Sequence, residues 1–384
     1  FPLTINGKLD KRALPEPNFD SLTEDFLPPT TEIEKAICQI WQEVLGIDQV
    51  GITDDFFRIG GDSILSIMIS SRIRKLGFNC QVRDIFSHKT IVKLSKYLSS
   101  KKAIEDVQSE QGLLSGEFGL LPIQHWFVER VEGGAIKAPN HWNQSFLVKV
   151  WELDQNKLSA IIGKLVDYHD VLRVKYLREK AWKQVYRSSI SLPQLKTLDV
   201  SRYSEAEIQQ KLTEWQSGFD LDQGPLFQMG YLYGYKDGSA RLFFALHHMI
   251  VDGVSWRILV DDVKDLYAGK SLPAKGSSYR QWIKSVKAYP AHCPEEASYW
   301  EAQLAGMPLY KTAEYNLTSP TIASLELNET LTRSLLQKVS KAYHTEINDL
   351  LLTALAYALK DLNGNDTQGI TLEGHGREAI DLSI

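Results

Sequence analysis

The sequence predicts a multidomain protein, with a small all-α helical bundle followed by a larger α/β or α+β part. Its 384 residues are too many for one ordinary domain. Residues 31–99 carry apolar side chains at helical spacing only, whereas strand-like and helix-like segments alternate from residue 115 onwards. A polar stretch, "SSKKAIEDVQSEQG", separates the two patterns. We therefore expect a tail and linker over 1–28, a bundle over 29–99, a linker over 100–114 and a second domain over 115–384.

The composition is that of an ordinary globular protein and excludes several classes of partner. Apolar residues make up 43% of the chain, aromatic residues 10% and charged residues 24%, and the net charge is -5. Without a basic run, nucleic acid is a poor partner. Cys38, Cys80 and Cys293 are far apart, so neither disulfides nor a zinc site are predicted. We find no signal peptide and no 18-residue apolar run, and we expect a cytoplasmic protein without a membrane partner.

Two features define the predicted bundle. Thr31 and Glu34 have the spacing of a capping box, which predicts the start of its first helix. Further on, "GGDS" precedes apolar residues at helical spacing, which puts Ser63 at a helix N-terminus, a place that favours an incoming phosphate. Helix capping by Asp62 and Ser63 explains the same residues equally well.

The second domain alternates strands and helices. A capping box at Ser204 and Glu207 predicts a helix, and the turn residues 236–238 predict a hairpin. The spacing of apolar residues predicts strands over 144–150, 321–328 and 369–374, and helices ending near His169 and over 254–267, 279–289, 297–304, 329–343 and 348–362. Tyr and Trp side chains near the motifs are expected to serve packing.

A pair of histidines follows the buried strand "ARLFFAL". Their side chains should face opposite sides, so that one of His247 and His248 enters a cavity and the other supports it. Asp252 precedes a helix and would cap it or pair with an arginine. Taken by itself, the His-His pair is also explained by two histidines with structural roles. No third ligand is apparent in the sequence, so a metal site is not predicted.

The segment "EGHGRE" follows the strand predicted over 369–374, so that Glu373 would lie at the strand end. Glycines on both sides of His375 would let the backbone approach a ligand closely. A solvated charged loop explains Arg377 and Glu378 equally well.

The segment "DDFFRIGGDSILSIMISSRIRK" resembles the peptidyl carrier proteins of nonribosomal peptide synthetases, over about residues 31–99. The resemblance implies that Ser63 carries a covalent 4'-phosphopantetheine, attached by a phosphopantetheinyl transferase, and that acyl groups ride on it as thioesters. In that family, Asp before the serine is associated with carriers that serve epimerization domains. "PLTINGKLDKRALP" resembles the final motif of adenylation domains and implies an upstream adenylation domain, in which Lys8 would be the lysine that contacts the acyl-adenylate. Because only this tail is present, Lys8 is expected to be inert here.

The motif "HHMIVDG" resembles the H-H-x-x-x-D-G motif of the condensation superfamily, and "LLPIQHWFVE", "HWNQSF" and "FDLDQGPLF" match other segments of its fold. This resemblance implies a chloramphenicol-acetyltransferase-like domain of two lobes, with His248 in the tunnel between them. His247 and Asp252 would be structural support, with Arg173 as the partner of Asp252.

"EGHGRE" resembles a motif of epimerization domains that condensation domains lack, and implies that Glu373 enters the tunnel opposite His248. Such domains continue well past this motif, so the C-terminal lobe is expected to be incomplete. The function implied is epimerization of a carrier-bound aminoacyl or peptidyl thioester from L to D, with a downstream condensation domain in cis or in trans. A condensation domain that forms peptide bonds and a silent carrier-docking module are the alternatives.

The residue types fit this chemistry. A thioester acidifies the adjacent α-carbon, but removal of the proton still needs a positioned base. Inversion needs a proton delivered to the opposite face, which two titratable groups, His248 and Glu373, would provide. The residue types leave open which of the two removes the proton from the L-form.

Overall fold

The structure is a computed structural model that describes residues 26–100, 109–307, 323–339, 345, 347–374, 376 and 380. The chain divides into two compact units, one formed by residues 1–103 with 295–374 and the other by residues 104–294 with 375–384. Lys8, His375, Arg377 and Glu378 lie outside the described residues.

The predicted helical bundle is confirmed. Its helices are α1 (Glu32–Leu45), α2 (Ser63–Lys75), α3 (Val82–Ser87) and α4 (Ile91–Ser100). The capping box of α1 forms as predicted, because the Glu34 N–H donates to the Thr31 hydroxyl while the Glu34 carboxylate accepts from the Thr31 N–H. Trp41 and Phe56 are fully buried, with ring centroids 5.0 Å apart, at the centre of the apolar core of the bundle.

The second unit has mixed α/β character, as expected. Its elements are β1 (Gly116–Phe118), α5 (Pro122–Glu132), β2 (Asn143–Val150), α6 (Gln155–Tyr168), β3 (Val174–Arg178), β4 (Trp182–Tyr186), β5 (Lys196–Asp199), α7 (Glu205–Trp215), β6 (Phe227–Tyr233), β7 (Ala240–His247), α8 (Gly253–Tyr267) and α9 (Tyr279–His292). The predicted hairpin is confirmed: β6 and β7 pair antiparallel, and Gly238 in their connection has a φ of 70°.

Two sheets organise this unit. Strands β1, β4 and β3 form an antiparallel sheet in the order β1-β4-β3. The other sheet has the order β2-β7-β6-β5, and only its β5–β6 pair is parallel. Strand β7 lies in the interior of this sheet and is buried along almost its whole length, so its C-terminal end, at His247, is held on both sides. The register of β2 against β7 pairs Asn143 with His247.

The remaining described elements of the first unit are α10 (Glu295–Ala305), α11 (Glu329–Arg333) and α12 (Ile347–Asn363). The predicted strands over 321–328 and 369–374 are wrong: the described residues 323–328 and 369–374 form no strand. Alternating apolar residues make a strand only where another strand accepts its backbone hydrogen bonds. The predicted helix over 329–343 is also interrupted, because α11 is followed by a π-helical segment over 334–339.

Candidate functional site

Ser63 is the first residue of α2, as the sequence predicts. The structure separates the two explanations of "GGDS": the Asp62 carboxylate caps the helix by accepting from the Leu65 N–H at 2.7 Å. Ser63 is half-buried, and within the described residues its hydroxyl has no hydrogen-bond partner. The serine is therefore available at a helix N-terminus, where an attached phosphate would be stabilised.

The backbone conformation requires glycine at position 60, and the lack of space for a side chain requires it at position 61. Gly60 has a φ of 109°, which side-chain-bearing residues rarely adopt. A Cβ on Gly61 would lie 2.5 Å from both the Phe56 ring and the Phe56 carbonyl oxygen. The turn that presents Ser63 therefore packs directly on the aromatic core of the bundle.

His247 is fully buried at the end of β7. Its Nε2 donates to the Pro139 carbonyl oxygen at 2.8 Å, and its Nδ1 accepts from the Met249 N–H at 3.2 Å. The pKa of His247 is lowered to about 4, mainly by burial; the hydrogen bond to the Pro139 carbonyl opposes this shift, and the neighbouring His248 adds to it. His247 is therefore a neutral imidazole that supports the turn after β7.

His248 is half-exposed, lies in the turn after β7, and contacts other groups than His247 does. Its Nδ1 lies 3.0 Å from the Val251 carbonyl oxygen, and its Nε2 lies 3.1 Å from the side-chain nitrogen of Gln144. The His248 N–H also donates to the Trp142 carbonyl oxygen at 2.8 Å. Both the ring and the backbone of His248 are thus fixed.

A buried polar network holds the turn that carries His248. The carbonyl oxygen of Met249 accepts from the Tyr176 hydroxyl at 2.8 Å and from the Gln124 side chain at 3.1 Å. Gln184 bonds to both Tyr176 and Gln124. Because these polar atoms are buried and satisfied by one another, the network fixes a single conformation of the turn.

Asp252 caps α8 immediately after this turn. Its Oδ1 accepts from the N–H groups of Val254 at 3.1 Å and Ser255 at 2.8 Å, and from the Ser255 hydroxyl at 2.7 Å. In the structure, Asp252 therefore serves as the N-cap of α8.

The predicted pairing of Arg173 with Asp252 is wrong. The Arg173 guanidinium is buried and pairs with Asp170, three residues before it, while also donating to the carbonyl oxygens of Leu114, Val166 and Arg187. A buried guanidinium needs several acceptors, and here they come both from nearby residues of the chain and from Leu114, 59 positions away. Arg173 therefore ties the start of the domain, at Leu114, to the end of α6.

Glu373 belongs to the unit that contains residues 295–374, and its side chain is exposed. It does not follow a strand, contrary to the expectation from the apolar residues before it. The unit that contains His248 is formed by residues 104–294 and 375–384.

Two residues of the site were not singled out by the sequence. Gln144 lies within "HWNQSF", and its side chain contacts His248. Trp256 was expected to serve packing, but its indole Nε1 also donates to Oε1 of Gln144 at 2.9 Å. The strand period could have indicated Gln144, because it shares a face of β2 with the aromatic Phe146.

Comparisons with known proteins agree with this arrangement. The family model described as "Condensation domain" matches residues 115–383, and the one described as "Phosphopantetheine attachment site" matches residues 35–98. The chain belongs to the condensation-domain family. It joins this domain to a carrier of the kind found in nonribosomal peptide synthetases, which confirms the resemblance found in the sequence. Residues 35–98 are accordingly a domain for covalent attachment of 4'-phosphopantetheine to a serine.

Curated relatives of this condensation-family chain are large synthetases. It is 38% identical to N-(5-amino-5-carboxypentanoyl)-L-cysteinyl-D-valine synthase of Penicillium rubens, a match covering 100% of the chain and 10% of that protein. It is 39% identical to a polypeptide of the linear gramicidin synthase of Brevibacillus parabrevis, a match covering 99% of the chain and 5% of that polypeptide. The chain thus spans a small part of the length of these relatives.

Solved structures share the fold of this family member. The epimerization domain from the third module of tyrocidine synthetase B matches with a TM-score of 0.63 and 33% identity, over 71% of this chain and 64% of that one. The condensation domain of the Monacolin K polyketide synthase MokA matches with a TM-score of 0.53 and 17% identity, over 67% and 61% of the two chains, and shows the fold alone.

Among the described residues, no helix combines the length and the apolar character needed to cross a bilayer. In the same described ranges, His, Cys, Asp and Glu side chains form no group of three or more that could hold a metal ion.

Proposed function

We propose that this protein carries an aminoacyl or peptidyl thioester on Ser63 and epimerizes its α-carbon from L to D, with His248 and Glu373 removing and returning the α-proton. The geometry of His248 carries the proposal, because both ring nitrogens lie at hydrogen-bond distance from fixed partners, Nε2 at 3.1 Å from the Gln144 amide nitrogen and Nδ1 at 3.0 Å from the Val251 carbonyl oxygen. That arrangement suits a general base.

The identity with an epimerization domain favours epimerization over peptide-bond formation. That domain is 33% identical to the chain, whereas the condensation domain of MokA is 17% identical over a similar share of the chain. "EGHGRE", with Glu373 at its start, supports the same choice through its resemblance to an epimerization motif.

The residues around Ser63 fit the attachment of 4'-phosphopantetheine. The hydroxyl has no partner within the described residues, and the helix N-terminus favours the phosphate that would be bonded to it. The bound arm presents the acyl group as a thioester, whose carbonyl makes the α-proton more acidic. A phosphopantetheinyl transferase and an upstream adenylation domain are the partners this loading requires, and a downstream condensation domain would consume the product.

The proposed reaction has two proton transfers: removal of the α-proton and delivery of a proton to the same carbon. One of His248 and Glu373 takes the α-proton from one face, and the other delivers a proton to the opposite face, which inverts the carbon. A positioned acid and base of this kind contribute about 10²–10⁴-fold to the rate. His247, Asp252 and Arg173 act only through structure, by holding the turn, α8 and the end of α6.

The experiment that tests this proposal loads the carrier with an L-aminoacyl pantetheine in deuterated water, releases the acyl group, and measures α-deuterium and chirality. Incorporation of deuterium with formation of the D-form is the expected result. Peptide-bond formation with a supplied second carrier-bound amino acid, without α-exchange, would assign the domain to condensation. Neither activity in a fully loaded protein would leave a carrier-docking module.

A further inference from the structure

Gln144 and Trp256 form a fixed pair beside His248. Gln144 and Phe146 lie two residues apart on β2 and therefore share a face of the strand. The Trp256 indole packs edge-on against the Phe146 ring, with centroids 4.2 Å apart and an interplanar angle of 89°. This packing brings the indole Nε1 to 2.9 Å from Oε1 of Gln144.

The indole determines how the Gln144 amide is oriented. An indole N–H can only donate, so the amide oxygen must face Trp256. The amide nitrogen then faces His248, at 3.1 Å from its Nε2. Because an amide NH₂ group is also only a donor, Nε2 of His248 must accept and therefore carries no hydrogen.

The other ring nitrogen obeys the same logic. Nδ1 of His248 lies 3.0 Å from the Val251 carbonyl oxygen, which can only accept, so Nδ1 carries the hydrogen. A donor beside Nε2 and an acceptor beside Nδ1 are compatible with only one of the two neutral tautomers. Gln144 and Val251 together specify the neutral tautomer with hydrogen on Nδ1 and the lone pair on Nε2.

We propose that Gln144, locked by Trp256, is a positioning residue that keeps the lone pair of His248 on Nε2 until the α-proton of a carrier-bound acyl group reaches it. The part that concerns the acyl group rests on the function proposed above. In the proton transfer, the electron pair of the α-C–H bond stays on the acyl group, and the proton bonds to Nε2, giving an imidazolium. The amide cannot turn its oxygen to this new N–H without losing the hydrogen bond from Trp256. Gln144 therefore does not stabilise the imidazolium, which gives up its proton readily.

Two variants separate this role from simple packing. Gln144→Glu replaces the donor by a carboxylate, which only accepts, and should place a hydrogen on Nε2 while Nδ1 keeps its own, giving an imidazolium at neutral pH. Trp256→Phe keeps an aromatic ring against Phe146 but releases the amide. The matched controls are Gln228→Glu, on β6 of the same sheet, and Trp126→Phe, an exposed tryptophan on α5.

The first readout is the ¹⁵N NMR signature of the His248 ring in the holo-protein, which reports protonation of each nitrogen whether or not the protein is an epimerase. We expect an unprotonated Nε2 in the unaltered protein and in both controls. We expect a protonated Nε2 in Gln144→Glu and a mixture of states in Trp256→Phe. The charged or titratable groups on the segments around His248 include His141, His247, Asp252 and Arg257, and all variants retain these four residues.

The second readout is the pH dependence of α-proton exchange. Gln144→Glu should move the pH of half-maximal exchange upward by about one unit or more, because a carboxylate in contact favours the imidazolium, and exchange at neutral pH should fall about tenfold or more. Unfolding midpoints identify any variant that fails to fold. A hydrogen on Nε2 in the unaltered protein, or an unchanged ring signature in both folded variants, would overturn the proposal. Loss of exchange in the unaltered protein with the expected ring signature would instead count against the proposed function.

Discussion

The backbone N–H of Met249 donates to Nδ1 of His247 at 3.2 Å, so the buried His247 fixes the backbone on the C-terminal side of His248. With Nε2 donating to the Pro139 carbonyl oxygen, both ring nitrogens of His247 are used in the neutral form. Protonation of Nδ1 would remove the acceptor that Met249 needs. The turn that presents His248 therefore depends on His247 remaining neutral.

This dependence predicts a loss of stability in mild acid. Burial lowers the pKa of His247 to about 4 from its ordinary 6.5. The unfolded chain therefore binds this proton at a higher pH than the folded protein. The stability contribution is complete above pH 6.5 and is lost as the pH falls towards 4. When the pH falls from 7 to 5, the free energy of unfolding should decrease by about 2 kcal/mol because of His247.

His247→Gln tests this prediction, because glutamine can still donate to Pro139 but does not titrate. Denaturant unfolding of the domain at several pH values should show a flatter pH dependence for this variant than for the unaltered protein. The exposed His292→Gln is the control and should keep the original slope. Equal slopes in His247→Gln and the unaltered protein would contradict the prediction.

The cap of α8 should affect activity as well as stability. Asp252→Ala removes a helix cap one residue after Val251, whose carbonyl oxygen binds His248. We expect the free energy of unfolding to fall by about 1 kcal/mol and α-proton exchange to slow.

Asp154→Ala provides the matched control for Asp252→Ala. Asp154 caps α6 by accepting from the Lys157 N–H at 2.8 Å, so its loss should cost a similar amount of stability. Exchange measured in both variants should fall only in Asp252→Ala. A similar fall in both would mean that general destabilisation, and not the position of His248, explains the effect.

Ser63 should be the residue that is loaded. Ser63→Ala removes the hydroxyl to which the arm would be attached, and mass spectrometry after incubation with coenzyme A and a phosphopantetheinyl transferase should detect no added arm. Ser71→Ala, on the same helix and also half-buried, should load like the unaltered protein. Loading of the Ser63→Ala protein would show that another residue accepts the arm.

Local signals in the sequence predicted the elements whose stability is local. The capping box of Thr31 and Glu34 starts α1, and the turn residues around Gly238 connect β6 and β7, because each depends on atoms within a few residues. The position of Ser63 at the start of α2 followed from the same kind of signal, with Asp62 as the cap.

Features that depend on distant partners were predicted less well. The apolar residues before Glu373 indicated a strand, but strand formation needs a pairing partner that a local pattern cannot supply. Arg173 was assigned to Asp252, whereas its nearest carboxylate is Asp170. The contact of Gln144 with His248 joins residues 104 positions apart, so the strand period could indicate the face of β2 on which Gln144 lies but not its partner.

The proposed epimerization requires two titratable groups, His248 and Glu373, to exchange the α-proton of a carrier-bound acyl group. The most direct measurement compares α-deuterium incorporation in deuterated water for the loaded unaltered protein, His248→Ala and Glu373→Gln, with equal loading of Ser63 verified by mass spectrometry. We predict incorporation and formation of the D-form in the unaltered protein, and loss of both in each variant. Exchange retained in both variants would show that His248 and Glu373 do not move the α-proton.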